Sequence, residues 1–174
     1  IATLREEFPV KFIGMEPAIK PAAHITESGV IGVLATAGTL SSEKYLRHKE
    51  KYASDVRIAE HVGEGFVELV EQGLTTGRQA EETVLGSLQP LLDAGADTIV
   101  LGCTHYPFLS DTIRKVANVT APGQVKEIID PAPAIARHLK EVMEEEGLIQ
   151  HAEGTLSLHS SGVPTVLQNF VCNL

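Results

Sequence analysis

Three residues able to take part in chemistry follow one another at positions 103 to 105. Cys103, Thr104 and His105 come directly after residues 97–102 (DTIVLG), whose apolar run is predicted to be a buried strand. Pro107 is placed to begin the next helix, where its missing N–H costs nothing. In open α/β sheets, ligands bind beyond the carboxyl ends of the strands. A thiol, a hydroxyl and an imidazole at such an end predict a site of proton transfer or nucleophilic catalysis.

Cys103 is the candidate base or nucleophile. The pKa of a free thiol is about 8.5, and a helix N-terminus or a nearby histidine lowers it. The competing interpretations are a thiol buried for packing and a metal ligand. Cys103 and His105 offer only two ligands, whereas zinc is held by three or four, and the sequence has no CxxC or HxxxH elsewhere. We therefore predict no metal site, and we assign the second cysteine, Cys172, to helix packing.

The composition restricts the class of protein. The chain has 174 residues, and 43% of them are hydrophobic, which suffices for the core of one domain or of two small lobes. A net charge of −9 argues against nucleic acid as a partner. Two cysteines form no disulfide framework, which favours a reducing, cytoplasmic setting. The sequence shows no signal peptide and no apolar run long enough to cross a membrane.

Apolar strands alternate with helices along the chain, which predicts an α/β fold with a parallel, doubly wound sheet and helices on both faces. Thr36 and Thr39 follow a predicted strand, so their hydroxyls are expected in a loop at the same sheet edge as Cys103, although capping of that loop is the alternative role. A Thr-x-x-Gln capping box at 76–79 is predicted to begin a long helix. One face of that helix is predicted to hold Val84, Leu85, Leu88, Leu91 and Leu92. Strands are predicted at residues 10–15, 29–35, 55–60, 97–101, 125–130 and 155–159.

Residues 101–109 (LGCTHYPFL) strongly resemble the second catalytic motif of the bacterial glutamate racemases, within the aspartate/glutamate racemase superfamily. Other segments resemble that family in the same order along the chain. They are residues 12–17 (FIGMEP), 31–39 (IGVLATAGT), 66–73 (FVELVEQG) and 129–136 (IDPAPAIA).

The resemblance implies two similar α/β domains with the active site between them and one cysteine from each. The first cysteine belongs to a Cys-Asn-Thr motif just before the helix with which this chain begins, so we expect a fragment that lacks most of the first domain. Residues 1–17 would end the first domain, residues 22–150 would form the second, and residues 155–174 would return to the first as a strand and a helix. The fragment alone is expected to be inactive.

The implied reaction is cofactor-free interconversion of L- and D-glutamate by two thiols, which supplies D-glutamate for peptidoglycan in the bacterial cytoplasm. Cys103 would serve one face of the substrate, His105 would tune it or relay protons, and Glu71 would assist by hydrogen bonding. Hydroxyls that bind the substrate would come from Thr36, Thr39 and Thr104. A homodimer is among the open oligomeric states. Two alternatives stay open: a related racemase or decarboxylase acting on aspartate, hydantoins or malonates, and a non-catalytic amino-acid-binding lobe.

Overall fold

A parallel four-stranded sheet organises the protein, whose computed structural model describes residues 1–15, 17–52, 54–149 and 154–172. The strands lie side by side in the order β2-β1-β3-β4, and every neighbouring pair is parallel. This arrangement confirms the predicted α/β class. The strands are β1 (Val30–Ala35), β2 (Arg57–Val62), β3 (Thr98–Leu101) and β4 (Glu127–Ile129).

Helices connect the strands in the described ranges, and a 3₁₀ turn (Tyr106–Leu109) precedes the helix after β3. Pro107 lies within the first two residues of that turn, as its fixed φ favours. The helices are α1 (Ala2–Glu7), α2 (Ile19–Ile25), α3 (Ala37–Leu40), α4 (Glu43–Tyr52), α5 (Phe66–Glu71), α6 (Arg78–Asp93), α7 (Ser110–Thr120), α8 (Ala132–Glu145) and α9 (Pro164–Cys172).

Both faces of the two central strands are buried, which explains why β1 is apolar throughout and why β3 is apolar after Thr98. On one face, Ile31, Val33 and Ala35 join a buried cluster with Ile19 of α2 and Tyr45 of α4. On the other face, α6 packs against β1 and β2. Its buried side chains are Ala80, Val84, Ser87, Leu88, Leu91 and Leu92.

Two details of α6 differ from the sequence prediction. The helix begins at Arg78, Gly77 occupies the N-cap position, and no side chain caps it, so the predicted capping box at 76–79 is wrong. Leu85 is 37% exposed, because the buried face of the helix passes through Ser87 instead. The helical spacing of Leu85 is compatible with a position at the edge of the buried face as well as with one inside it.

The strands predicted at 10–15 and 155–159 are also wrong, since neither segment has regular strand structure. A strand exists only where a neighbour satisfies its backbone N–H and C=O groups, and local sequence cannot supply that neighbour. Both segments are largely open to solvent: Val10 is 59% exposed and Leu156 is 72% exposed.

The chain divides into two compact units, Ile1–Leu139 and Lys140–Leu174. The first contains the sheet and all the candidate site residues. The second contains the end of α8 and the helix α9. The predicted domain end at 150 and the predicted helix end at 174 lie outside the described residues, and so does the side chain of Cys172. Of the helices described, none is both long and apolar enough to span a membrane.

Candidate active site

The loops that follow β1, β2 and β3 start beside one another at one edge of the sheet. Two backbone hydrogen bonds extend the strand pairing past the strand ends. Gly63 N–H donates to the carbonyl of Ala35 over 3.2 Å, and Gly102 N–H donates to the carbonyl of Leu34 over 2.7 Å. The prediction that the segment beginning at Thr36 lies at the same sheet edge as Cys103 is therefore confirmed.

Gly102 sets how closely the third strand approaches the first at this edge. A Cβ on residue 102 would lie 2.8 Å from the Cβ of Ala35 and 3.2 Å from the carbonyl oxygen of Leu34. Only a residue without a side chain permits that approach. Thr36 and Cys103 are the residues that directly follow this point of close approach on the two adjacent strands.

Thr36 and Thr39 belong to a single helical turn rather than to the predicted loop. Thr36 is the N-cap of α3, and its Oγ1 accepts a hydrogen bond from the N–H of Thr39 over 3.3 Å. The two hydroxyl oxygens are 3.0 Å apart. Only one hydroxyl proton can lie between them, so the other can be donated to a ligand. The capping role and a binding role are thus compatible.

Both threonines line a cavity of about 360 Å³. Its polar walls also include Ser42, Lys44, Tyr45 and His48 from the start and the middle of α4. Ser42 caps that helix, because its Oγ accepts a hydrogen bond from the N–H of Tyr45 over 3.2 Å. The cavity has the hydroxyl and cationic groups that a small anionic molecule requires.

Cys103 is a free thiol, partly exposed, one residue beyond the glycine at the end of β3. Its carbonyl accepts a hydrogen bond from the N–H of Tyr106 over 3.2 Å, which folds the segment back into the 3₁₀ turn. Thr104 is exposed beside it. The partial exposure of Cys103 leaves the thiol within reach of a small molecule, unlike a cysteine buried for packing.

His105 pairs with Glu71, although the two residues are far apart in sequence. Nε2 of His105 lies 3.4 Å from Oε1 of Glu71, and the side chains are 29% and 54% exposed. The pair connects the segment after β3 to the last residue of α5. A carboxylate at one ring nitrogen orients an imidazole and determines which nitrogen carries the proton. The structure therefore brings Glu71 to His105, two residues from the thiol.

Sequence reasoning missed the role of Tyr106, which lies fully buried directly after His105. Its hydroxyl donates a hydrogen bond to the carbonyl of Gly63 over 3.2 Å, and its ring packs edge-to-face on Phe66 with centroids 4.9 Å apart. Burial raises the pKa of Tyr106 to about 12, and negative charge at Cys103 adds to the increase. The spacing of residues along the chain gives no sign of this long-range contact.

Together these groups provide a thiol, an imidazole–carboxylate pair and hydroxyl donors at one sheet edge. That set can remove or return a proton on a small polar molecule. In the part of the chain that the structure describes, no three His, Cys, Asp or Glu side chains come together as a metal site.

Residues 1–139 match the family model described as Asp/Glu/Hydantoin racemase, and the chain belongs to that family. Among the curated relatives, it is similar to the glutamate racemase of Pseudomonas putida strain W619, with 44% identity over 98% of this chain and 63% of that protein. It is also similar to the glutamate racemase of Stutzerimonas stutzeri strain A1501, with 41% identity over 94% of this chain and 61% of that protein. The chain thus spans about three-fifths of the length of these relatives.

Solved structures of the same family have the same fold. The Escherichia coli glutamate racemase, in complex with L-glutamate and the activator UDP-MurNAc-Ala, aligns with a TM-score of 0.69 and 32% identity, over 83% of this chain and 53% of that one. The glutamate racemase isoform RacE1 of Bacillus anthracis aligns with a TM-score of 0.68 and 29% identity, over 86% of this chain and 55% of that one.

Proposed function

We propose that this chain provides the Cys103 half of a cofactor-independent racemase that interconverts L- and D-glutamate. The observation that carries the proposal is the partly exposed thiol of Cys103 at the end of β3, with the His105–Glu71 pair two residues away. Membership of the Asp/Glu/Hydantoin racemase family supports it, and so do relatives named glutamate racemase.

In the proposed reaction, a thiolate at Cys103 removes the α-proton of glutamate and becomes a thiol, which leaves a carbanion at the α-carbon. A second thiol on the opposite face then donates its proton to that carbon and becomes a thiolate. Each group thereby ends in the state from which it starts the reverse reaction. His105 relays protons to and from Cys103, and Glu71 orients the ring. Positioned acid–base groups of this kind contribute roughly 10²- to 10⁴-fold each to the rate.

Substrate binding is assigned to hydroxyl groups. Thr36 and Thr39 present one donatable hydroxyl proton toward a cavity whose wall also carries the ammonium of Lys44. Thr104 is exposed beside the thiol. We propose that these threonines bind the α-carboxylate and the amine of glutamate and so hold the α-carbon near Cys103.

The proposal requires a second domain. Inversion at carbon needs one group on each face of the substrate, and Cys103 can lie on only one. We propose that residues 22–150 form the second domain of a two-domain protein, and that residues 1–17 and 155–174 belong with the first domain, which supplies the other thiol. The same proposal assigns the two-domain protein to the bacterial cytoplasm, where it supplies D-glutamate for peptidoglycan.

The proposal is tested by incubating the two-domain protein with L-glutamate, L-aspartate, a hydantoin or a malonate, without added cofactor, and following optical rotation. We expect interconversion of glutamate alone. Turnover of one of the other compounds instead would assign the chain to another branch of the superfamily. Binding of glutamate without turnover would favour the binding-lobe alternative.

The isolated 174-residue chain provides the second arm of this test. We expect it to leave L-glutamate optically unchanged, since Cys103 serves a single face. Racemisation by this chain alone would show that it holds both acid–base groups and would overturn the assignment of the second group to another domain.

A further inference from the structure

We propose that Tyr106 is a positioning residue, which holds His105 in register with Glu71 by anchoring the segment after β3 to the turn after β2. The inference rests on the proposed function for its kinetic consequence but not for its structural one. Nothing in the motif assigns a task to this tyrosine beyond packing.

The anchor has three contacts. The Tyr106 hydroxyl donates to the carbonyl of Gly63, its ring packs on Phe66, and its N–H donates to the carbonyl of Cys103. The hydroxyl and ring contacts reach the turn and the first residue of α5, and the N–H contact reaches the thiol-bearing residue. Tyr106 therefore touches both segments whose relative position sets the site.

Gly63 is shaped to accept this ring. A Cβ on residue 63 would lie 2.6 Å from both Cζ and Oη of Tyr106, closer than such atoms approach one another. The φ angle of Gly63 is not positive, so its backbone conformation does not itself require glycine. The absence of a side chain at this position is thus explained by the close approach of the ring, and not by backbone strain.

The contacts of Tyr106 lie close to both members of the His105–Glu71 pair along the chain. Helix α5 begins at Phe66, on which the ring packs, and ends at Glu71. His105 immediately precedes Tyr106. The 3.4 Å distance between Nε2 of His105 and Oε1 of Glu71 is already at the long end for a charge-assisted contact. A small shift between the 3₁₀ turn and α5 is enough to break the pair.

The first test uses the 174-residue chain and needs no racemase activity. Tyr106→Phe removes the hydroxyl and keeps the ring on Phe66. The matched control is Tyr52→Phe, the same chemical change on a half-buried tyrosine at the end of α4. The readout is the rate at which iodoacetamide alkylates Cys103, followed by mass spectrometry of its peptide. Loss of one ordinary hydrogen bond loosens the segment that carries the partly exposed thiol, so we expect the alkylation rate in Tyr106→Phe to differ from wild type by about three- to tenfold, with the control unchanged.

A double-mutant cycle that combines Tyr106→Phe with Glu71→Gln separates positioning from general destabilisation. If Tyr106 acts through the His105–Glu71 pair, the effect of Tyr106→Phe on racemisation shrinks to less than about twofold once Glu71 is already replaced, because coupled residues are not additive. In the two-domain protein with Glu71 intact, Tyr106→Phe lowers kcat by about three- to tenfold while KM stays within twofold. Gly63→Ala, which displaces the ring, lowers kcat at least as much.

Equal alkylation rates in Tyr106→Phe and Tyr52→Phe would overturn the anchor itself. Additive effects of Tyr106→Phe and Glu71→Gln on kcat would overturn its action through the pair and leave a packing residue. If the unaltered two-domain protein does not racemise glutamate, the proposed function fails, while the alkylation rates still decide whether Tyr106 anchors the segment.

Discussion

Asp97 is 4% exposed and lies directly before β3, the strand that ends beside Cys103. Its Oδ2 accepts hydrogen bonds from the N–H groups of Glu27 (2.7 Å) and Ser28 (2.6 Å). Its Oδ1 accepts from the hydroxyls of Thr26 (2.6 Å) and Thr98 (3.0 Å). One carboxylate therefore fixes the connection between α2 and β1 to the strand that carries the candidate site.

The cost of replacing this carboxylate can be worked out bond by bond. In Asp97→Asn the amide oxygen can stay on the two N–H groups, since the hydroxyls can rotate to accept from the new NH₂ group and the N–H groups cannot. All four charge-assisted bonds then become neutral, at about 0.5 kcal/mol each. We expect Asp97→Asn to lower the free energy of unfolding by about 2 kcal/mol. Asp97→Ala also removes the acceptor from both N–H groups, so we expect about 3 to 4 kcal/mol.

The same contacts determine the pH dependence. Burial alone would raise the pKa of Asp97, but the hydrogen bonds from Thr26, Ser28, Glu27 and Thr98 outweigh it and lower the pKa. A folded-state pKa below the unfolded value of about 3.9 gives stability that is present above that value and lost as the pH falls through the folded-state pKa. The difference between wild type and Asp97→Asn should therefore be full at neutral pH and shrink below about pH 4.

Urea unfolding of the 174-residue chain, followed by circular dichroism at several pH values, measures both quantities. Asp97→Asn within about 0.5 kcal/mol of wild type at neutral pH would refute the bond-by-bond reasoning. A difference that stays constant as the pH falls below about 4 would refute the assigned direction of the pKa shift.

Three further predictions concern the site edge. In the two-domain protein, His105→Ala should change kcat by different factors in the two directions. The value of kcat/KM should fall by the same factor in both directions, because the equilibrium constant between enantiomers is one. An unchanged kcat in both directions would make His105 a packing residue. Gly102→Ala should lower the free energy of unfolding by about 1 to 3 kcal/mol, because its Cβ meets that of Ala35 at 2.8 Å; wild-type unfolding in urea would show that the strands can separate freely. Ser42→Ala should lower the free energy of unfolding by about 1 kcal/mol, because the N–H of Tyr45 loses its cap. An unchanged midpoint in urea would show that this cap does not stabilise the fold.

The sequence predicted those features that depend on local patterns. The apolar runs of β1 and β3 and the position of Pro107 all follow from residues within a few positions of one another. The strand predictions at 10–15 and 155–159 failed because strand formation depends on a partner elsewhere in the fold. The predicted domain boundaries stay a prediction.

For the candidate site, the sequence identified the residue types but not their supports. It placed Cys103 and Thr36 at one sheet edge, since strand order in a parallel sheet brings the strand ends together. The pairing of His105 with Glu71 was not predicted, nor was the ring of Tyr106 over Gly63. Such contacts join segments more than thirty residues apart, and they depend on packing distances that no local pattern encodes.

The central claim is that Cys103 exchanges a proton with the α-carbon of glutamate. The most direct measurement is deuterium incorporation at that carbon, followed by NMR in D₂O, with wild-type two-domain protein and its Cys103→Ala variant. We expect the wild-type protein to label both enantiomers. In the variant, interconversion and labelling of the enantiomer whose α-proton faces Cys103 should fall by on the order of 10²- to 10⁴-fold. Labelling of both enantiomers at the wild-type rate in Cys103→Ala would contradict the account.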